Sequence, residues 1–397
     1  SSRISEPLHV EKINKDVYLV ITRSKNYESN EENITFIGNT IIYYTNHETN
    51  KIFDKNTFKG GSSVTNENAI NNADALLTQY RPITLKTEES EFVKAQDSIA
   101  LAHSSPAYLL EQDSSYNHTD FLDVALFGIE YQNSLKGRYL YVIPLISQPR
   151  FFQPGGYRHA LGASYSKFYK KTGKQIETYT QLDYGIRNKD LRGHFKAAYT
   201  FNNFNFSKIT AGFGSEYELL NQNQSAVANL SPGNYTLTNH ATIGYNREYF
   251  NGFFVNTELR YAKHNPVTGL DLPPFTDSLV LGFEEFFSEN VSGNFNPIEF
   301  DPYTKLTFDA DIAIRIKQRY RTTPVRKIIL GSKYPKININ FRVGLPSVLN
   351  SISNFGYAQI RVQDRIRVGS YGFSQYNVLS GAYLWKNSLQ LVDEKFF

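Results

Sequence analysis

The alternation of apolar and polar residues in Lys305–Tyr320, KLTFDADIAIRIKQRY, constrains the fold more than any other feature. Apolar side chains occupy every even-numbered position from 306 to 316, and all but one of the odd-numbered positions from 305 to 317 are polar or charged. A period of two predicts a β-strand with one apolar and one polar face. The segment is far longer than the ~5–6 residues of an ordinary globular strand. A strand of this kind suits a wall between hydrocarbon and water.

Segments with the same pattern recur from about residue 137 onward, mostly with short turns between them. The clearest are Lys174–Arg187, Leu191–Asn202, Tyr235–Tyr245, Phe253–Tyr261, Ile337–Val343, Ala358–Val368 and Tyr376–Leu384. Most have roughly the ~9–11 residues that a tilted strand needs to cross a bilayer. Two longer links, residues 221–233 and 264–303, resemble the outer loops of such proteins. We therefore predict an all-β fold, a transmembrane antiparallel β-barrel of the outer-membrane type. The alternative is a soluble β-sandwich or propeller, whose strands are usually shorter.

The sequence ahead of the predicted barrel divides into two regions. Residues 1–75 are polar, and the runs Val17–Thr22 and Ile34–Thr45 predict a small β-rich N-terminal region. Residues 76–130 are predicted to be a helical connector with one helix, which Thr87 caps and which runs from Glu88 to about His103. The barrel then occupies residues 131–397.

Composition excludes several kinds of partner and site. The 42 Lys and Arg residues against 38 Asp and Glu give a net charge of +4. Because the basic residues are not clustered, we expect no nucleic-acid partner. The absence of cysteine excludes disulfides and thiolate metal ligands. No apolar run reaches the ~18 residues of a transmembrane helix, so the expected contact with the lipid bilayer is through strands.

The search for catalytic chemistry yields little. The eight histidines show no metal-ligand spacing, and no nucleophile-elbow, P-loop or dinucleotide motif is present. His194 and His240 fall on the polar sides of their segments, where a barrel hydrolase would pair such a residue with a nearby serine. The simpler interpretation is that both are solvated wall residues. We therefore expect no catalytic residue, no metal and no cofactor.

Charged residues also alternate on two of the predicted strands. Asp309, Asp311 and Arg315 share a face of one strand, and Arg361, Arg365 and Arg367 share a face of another. Paired carboxylates can bind calcium or act in acid–base catalysis. For the first strand we favour a charge ladder across the lumen. For the arginines we favour wall electrostatics, in which they neutralise Asp and Glu opposite, with attraction of an anionic solute as the alternative.

One stretch resembles a known family. The segment Gln79–Glu89, QYRPITLKTEE, together with Asp97-Ser98, is similar to a signature of the DUF5686 family of Bacteroidota outer-membrane β-barrel proteins. Ser332–Pro335 and Gly156-Tyr157-Arg158 agree with it. The resemblance runs from about residue 72 to the end. It implies the outer membrane of a Gram-negative bacterium, and it implies a longer protein, so that the strand count is a lower limit.

Within this signature we single out Arg81, Pro82, Glu88, Glu89 and Asp97. Pro82 stiffens the entry to the helix. We expect the guanidinium of Arg81 to hold one of the three carboxylates in a bidentate pair, which would fix the helix against the barrel mouth. The alternative role is a docking site for a periplasmic partner.

The resulting functional hypothesis is a non-enzymatic component of envelope transport, or of an outer-membrane assembly or secretion complex with protein partners. Two alternatives remain open. One is a barrel-borne hydrolase acting on lipid or peptide through His194 or His240. The other is a surface receptor or adhesin that binds through the two long links.

Overall fold

The computed structural model describes residues 20–28, 35–43, 52, 63–64, 84–150, 157–186, 188–219, 235–267, 300–369 and 372–393. Residues 20–28, 35–43, 63–64, 367 and 391 are described by their backbone alone. The chain divides into two compact units, residues 1–60 with 68–94 and residues 61–67 with 95–397.

Strands dominate the described residues. Their bounds are β1 Val20–Glu28, β2 Thr35–Tyr43, β3 Ser63–Val64, β4 Ile129–Asn133, β5 Arg138–Val142, β6 Pro149–Arg150, β7 Arg158–Phe168, β8 Gln175–Gly185, β9 Asp190–Asn202, β10 Ser207–Leu219, β11 Tyr235–Phe250, β12 Phe253–Pro266, β13 Tyr303–Arg315, β14 Arg319–Thr322, β15 Lys327–Gly331, β16 Lys336–Gly344, β17 Asn354–Arg367 and β18 Phe373–Ser388. The predicted all-β fold is confirmed.

One antiparallel sheet of 13 strands makes up most of the second unit. Its order is β4-β5-β7-β8-β9-β10-β11-β12-β13-β16-β17-β18, and β6 pairs with β7 beyond the end of β5. The hairpin of β14 and β15 is inserted between β13 and β16 in the chain, and it forms a three-stranded sheet with β3, which pairs in parallel with β14. Within the described residues no pairing joins β4 to β18, so closure of the sheet into a barrel is not observed. In the first unit, β1 and β2 form an antiparallel pair close to the two runs predicted there.

The stretch Lys305–Tyr320 is not one strand, contrary to the sequence-based prediction. β13 begins at Tyr303 and ends at Arg315, and the chain then turns through Lys317, whose φ is 49°. The turn is fixed because Arg315 N donates to Gly252 O over 2.7 Å. Gly252 has a φ of 84°, and a Cβ there would lie 2.2 Å from Arg315 O, so this approach requires glycine.

A buried polar cluster holds the β14–β15 hairpin against the β11–β12 turn. Glu248 Oε2 accepts a hydrogen bond of 2.5 Å from Lys327 Nζ, and its Oε1 accepts from Gln318 Nε2 and Gly252 N, each over 2.8 Å. The side chains of Lys327 and Glu248 are 8% and 3% exposed. A buried ion pair is tolerated when further hydrogen bonds satisfy it, as here.

Three α-helices lie in the described residues: α1 Thr87–Ser104, α2 Pro106–Tyr116 and α3 Phe121–Leu126. α1 is the predicted helix, but it includes Thr87, and Glu89 Oε2 accepts from Lys86 N over 2.9 Å at its start. Helices α2 and α3 were not predicted from the sequence. α2 has a clear start signal, since Ser105 accepts from Tyr108 N and Pro106 follows it. No helix in the described part of the chain combines the length and apolar character needed to cross a membrane.

α2 docks against the outer edge of β4. The amide of Asn117 accepts from Gln132 N over 2.6 Å and donates to Gln132 O over 2.9 Å, which satisfies the backbone of an edge strand. Asp113, 3% exposed, accepts from Ser134 N and Ser134 Oγ, each over 2.6 Å. Burial opposes the ionisation of Asp113, but the hydrogen bonds from Ser134 and Gln132 outweigh it and hold the pKa of this carboxyl below its ordinary value. A hydrogen bond to Glu130 raises the pKa of Tyr116.

Candidate functional site

The candidate site lies on the side of the large sheet that carries the polar residues of the alternating strands, here called the polar face. The register aligns Thr238 of β11 with His264 of β12 on this face, and both are 0% exposed. On the opposite side, the apolar face, Leu191, Phe213 and Ile243 are 62%, 62% and 57% exposed. The sheet thus buries polar side chains and exposes large apolar ones, which reverses the usual arrangement of a protein in water.

Five side chains from β9, β10, β11 and β12 meet on the polar face and are called the Glu216 cluster: His194, Glu216, Glu218, His240 and Arg260. His194 Nδ1 lies 3.0 Å from Glu216 Oε2, and the imidazole donates there if the carboxylate is ionised. His240 Nδ1 lies 3.7 Å from Glu216 Oε1, too far for a hydrogen bond. Arg260 Nη2 donates to Glu218 Oε1. One carboxylate therefore faces two imidazoles, and its neighbour is held by a guanidinium.

Strand register and one glycine bring the cluster together. Glu216 pairs with Thr238, and His240 follows two residues later on the same face. Gly214 pairs with both His194 and His240. A Cβ at Gly214 would lie 2.6 Å from His194 Cβ and 3.0 Å from His240 Cε1, so the glycine gives both imidazoles room beside the same carboxylate.

A cavity of about 720 Å³ opens over the cluster, and Glu216, Glu218, His240 and Arg260 are part of its wall. The wall mixes carboxylates with cations, so it suits an ion or a charged solute better than an apolar ligand. In the described part of the chain no hydrogen bond joins His194 or His240 to a hydroxyl group. Among the described residues, neither imidazole is therefore paired with a hydroxyl nucleophile.

The acidic residues of the predicted charge ladder have partners on the next strand. Arg342 Nε donates to Asp309 Oδ1 over 2.6 Å, and Asn340 Nδ2 donates to Asp311 Oδ1 over 2.8 Å. Arg315 lies instead over the ring of Phe254, with 5.3 Å from Cζ to the ring centroid. The contacts of both carboxylates therefore join β13 to β16, and neither carboxylate is paired with Arg315.

The arginines of β17 are placed differently. Arg361 lies opposite Asn338 and Leu379, and its Nε is buried without a hydrogen-bond partner. Arg365 lies over the ring of Phe373, 4.0 Å from its centroid. Arg367 ends the strand, and its side chain lies outside the described residues. Among the described ion pairs, none joins these arginines to Asp309 or Asp311.

The signature residues are only partly placed. Arg81 and Pro82 lie outside the described residues, so the expected pair between Arg81 and a helix carboxylate stays a prediction. Glu88, Glu89 and Asp97 lie on α1, where every residue of the helix is at least partly exposed. The long links, residues 221–233 and most of 264–303, also lie outside the described residues.

A second ionic cluster ties β7 to β8 and β9. The guanidinium of Arg158, 1% exposed, donates to Asp183 Oδ1 over 2.7 Å and to Asp190 Oδ1 over 2.5 Å. Asp190 also accepts from Arg192 Nε over 2.7 Å and from the hydroxyl of Tyr217 over 3.1 Å. Because both carboxylates face cations and accept several hydrogen bonds, we assign this cluster to the stability of the sheet.

Sequence reasoning missed Glu216, Glu218 and Arg260. The alternation of Ser207–Leu219 is visible in the sequence, with Ile209, Ala211 and Phe213 against polar or small neighbours, and it could have placed both glutamates on the polar face. Their meeting with His240 could not be found this way, because it depends on the register between β10 and β11.

Comparison with known proteins gives one match. The model of the C-terminal domain of a family of unknown function, DUF5686, matches residues 122–397. The match begins after the signature at residues 79–98. Neither the curated proteins nor the solved structures contain a match to this chain. The chain belongs to the DUF5686 family, and the domain that it shares with that family contains the whole large sheet and the Glu216 cluster.

Proposed function

We propose that this protein is an outer-membrane β-barrel of a Gram-negative bacterium, whose large sheet closes around a polar lumen. Its role is non-enzymatic, in envelope transport or in an outer-membrane assembly or secretion complex. The observation that supports the proposal is the reversed burial of the sheet, in which Phe213 and Ile243 are more than half exposed while Thr238 and His264 are fully buried.

In water this arrangement is unfavourable on both faces. Leaving a large apolar side chain exposed forgoes about 1.5–3 kcal/mol of burial free energy, and exposed apolar area of this extent attracts other apolar surfaces. In lipid the same side chains are matched to their surroundings, and the polar face meets water in the lumen. The ionic pairs Arg342–Asp309 and Arg260–Glu218 then line a wet interior instead of a dry core.

Strand lengths agree with a membrane span. The ten long strands β7–β13 and β16–β18 have 9 to 16 residues, against the ~9–11 that a tilted strand needs. Aromatic rings gather at the turn end of β9–β12, where Phe250 stacks on Phe253 at 4.5 Å and Phe201 on Tyr245 at 6.5 Å. Such rings are typical of a membrane interface. Because lipid does not tolerate an open edge, the proposal requires β18 to find a partner strand.

The location can be tested with the only tryptophan of the chain. Trp385 on β18 packs over Gly356 and is 40% exposed. When the protein is refolded into vesicles whose acyl chains carry bromine, we expect strong quenching of its fluorescence. Vesicles with unbrominated lipid are the control. Equal fluorescence in both would refute the membrane location.

Transport is tested separately, by recording current across a planar bilayer that contains the purified protein. Steady conductance, increased by shortening the links at residues 221–233 and 268–299, would support a pore. A protein that is in the bilayer by bromine quenching but never conducts, even with both links shortened, would favour a scaffold in an assembly or secretion complex. Co-purification from the native membrane would then identify its partners.

One observation favours the hydrolase alternative, namely that His194 and His240 flank the same carboxylate of Glu216. Against it, no hydroxyl nucleophile is hydrogen-bonded to either imidazole in the described residues. Hydrolysis of lipid or peptide that persists unchanged in both His194→Ala and His240→Ala would eliminate this alternative.

A further inference from the structure

We propose that Glu216, Glu218 and His240 form a binding site for a first-row divalent cation such as Zn²⁺ or Mn²⁺. One ligand atom from each of the three side chains lies within 4.8 Å of the other two. The residues come from adjacent strands, Glu216 and Glu218 from β10 and His240 from β11, and the register keeps them on the polar face. The spacing along the sequence gave no hint of the site, because no two of its ligands follow a known metal motif.

His240 provides an independent reason to expect a ligand. It is 7% exposed, and its Nδ1 is buried without a hydrogen-bond partner, at 3.7 Å from Glu216 Oε1. A buried nitrogen left unpaired is unfavourable, because it has lost its hydrogen bond to water without gaining another. A cation between this nitrogen and the carboxylate would satisfy both groups at once.

The surroundings resemble the support that proteins give to metal ligands. His194 bonds to one oxygen of Glu216, and Arg260 donates to one oxygen of Glu218, so each carboxylate is oriented and has a second oxygen with which to bind. With neutral imidazoles, two carboxylates and one guanidinium give the cluster a net charge of −1, which favours a cation. His194 and Arg260 are therefore positioning residues in this proposal.

The ligand set favours a transition metal over calcium. An imidazole with two carboxylates suits Zn²⁺ or Mn²⁺, whereas Ca²⁺ takes six to eight oxygens. Zinc–ligand bonds of ~2.0–2.2 Å separate tetrahedral ligand atoms by about 3.4 Å, so ligand atoms that lie up to 4.8 Å apart need to approach by up to about 1.4 Å. All three side chains line the cavity of about 720 Å³, so water from the cavity would complete the coordination shell.

The test is isothermal titration of the purified full-length chain in detergent with ZnCl₂, MnCl₂ and CaCl₂. We expect one Zn²⁺ per chain in the micromolar range or tighter, and at least ~100-fold weaker binding after His240→Ala because a ligand is lost. Glu218→Gln preserves shape and should weaken binding similarly, while His194→Gln should cost about 10–100-fold as an orienting partner. His118→Ala, which removes a histidine whose side chain is 80% exposed, is the matched control and should change nothing.

X-ray absorption of the zinc-loaded protein supplies a readout that does not depend on affinity. We expect imidazole scattering that disappears in His240→Ala, with far-UV circular dichroism confirming that each variant is folded. Binding that is unchanged in folded His240→Ala and Glu218→Gln would overturn the proposal, as would the absence of stoichiometric zinc binding. Since no bilayer enters these measurements, failure here leaves the proposed membrane location untouched, and failure of bromine quenching leaves the metal site untouched.

Discussion

Ile243→Lys and Thr242→Lys form a matched pair that tests the proposal that the apolar face of the sheet meets lipid. The two residues are consecutive on β11, in the middle of the strand, so they share a depth but point to opposite faces. Ile243 is 57% exposed on the apolar face, and Thr242 lies in the wall of the polar cavity. A lysine on the lipid face near the bilayer midplane costs about 2–4 kcal/mol. A lysine at an exposed position of a soluble protein usually changes stability by less than ~0.5 kcal/mol.

We therefore expect Ile243→Lys to lose about 2–4 kcal/mol of folding free energy in vesicles, and Thr242→Lys to lose much less because it can reach the water and carboxylates of the cavity. The assay is guanidinium titration of folding into phospholipid vesicles, followed by the fluorescence of Trp385. The slope of the transition checks that both variants unfold as the native chain does. Equal stability of Ile243→Lys and the native chain, or a greater loss for Thr242→Lys, would refute the assignment of the faces.

Two further predictions concern buried carboxylates outside the Glu216 cluster. Asp113→Asn should weaken the contact between α2 and β4 by about 1–3 kcal/mol, since an amide cannot accept every hydrogen bond that Ser134 offers. Hydrogen exchange of the α2 amides measures this loss. Unchanged protection of α2 would contradict the role of Asp113 in holding the helix. Because the pKa of Asp113 is lowered in the folded protein, its contribution to folding free energy is complete above the ordinary pKa of an unfolded aspartate, ~3.9. This contribution is lost as the pH falls through the lowered pKa. The native protein should therefore lose stability in this pH range, and the Asp113→Asn variant should not show this loss. Lys327→Met should lower the free energy of unfolding by about 3–5 kcal/mol, because it leaves Glu248 buried without its cation. Adding Glu248→Gln to the same chain should recover part of this loss in a double-mutant cycle. Additive effects of the two substitutions would mean that the two side chains are not coupled.

The alternation of apolar and polar residues predicted the strands well where the two faces of the sheet alone determine the fold of the segment. Gln175–Gly185 and Asp190–Asn202 lie within two residues of their predicted bounds, because each strand must keep one face apolar and one polar along its length. The alternation failed to predict the end of β13, because the pattern continues through Ile316 into a turn. The strand ends where Arg315 N donates to Gly252 O, and this contact joins residues distant in sequence, so the local pattern could not show it.

The candidate site was less accessible from the sequence. His194 and His240 could be assigned to the polar face, but the fact that both lie beside Glu216 depends on the pairing of β9 with β10 and of β10 with β11. Side-chain alternation says which face a residue occupies and not which residue it meets. The helix α2 was missed for a different reason, since it is short and no residue but Asp113 is buried in it, so no apolar stripe marks it.

If the sheet lies in lipid as proposed, the contacts on its polar face also explain how the strands keep their register. Sliding a strand by two residues preserves the alternation of apolar and polar positions, so contact with hydrocarbon does not oppose such a slip. On the polar face the same slip would move Arg342 away from Asp309, which lies directly opposite it, and would separate Glu216 from both imidazoles. Leaving a buried charge without its partner lowers the free energy of unfolding by more than the ion pair itself contributes. In the proposed barrel, the ionic contacts of the polar face would therefore specify the pairing of the strands, while the apolar face would specify only that the strands face lipid.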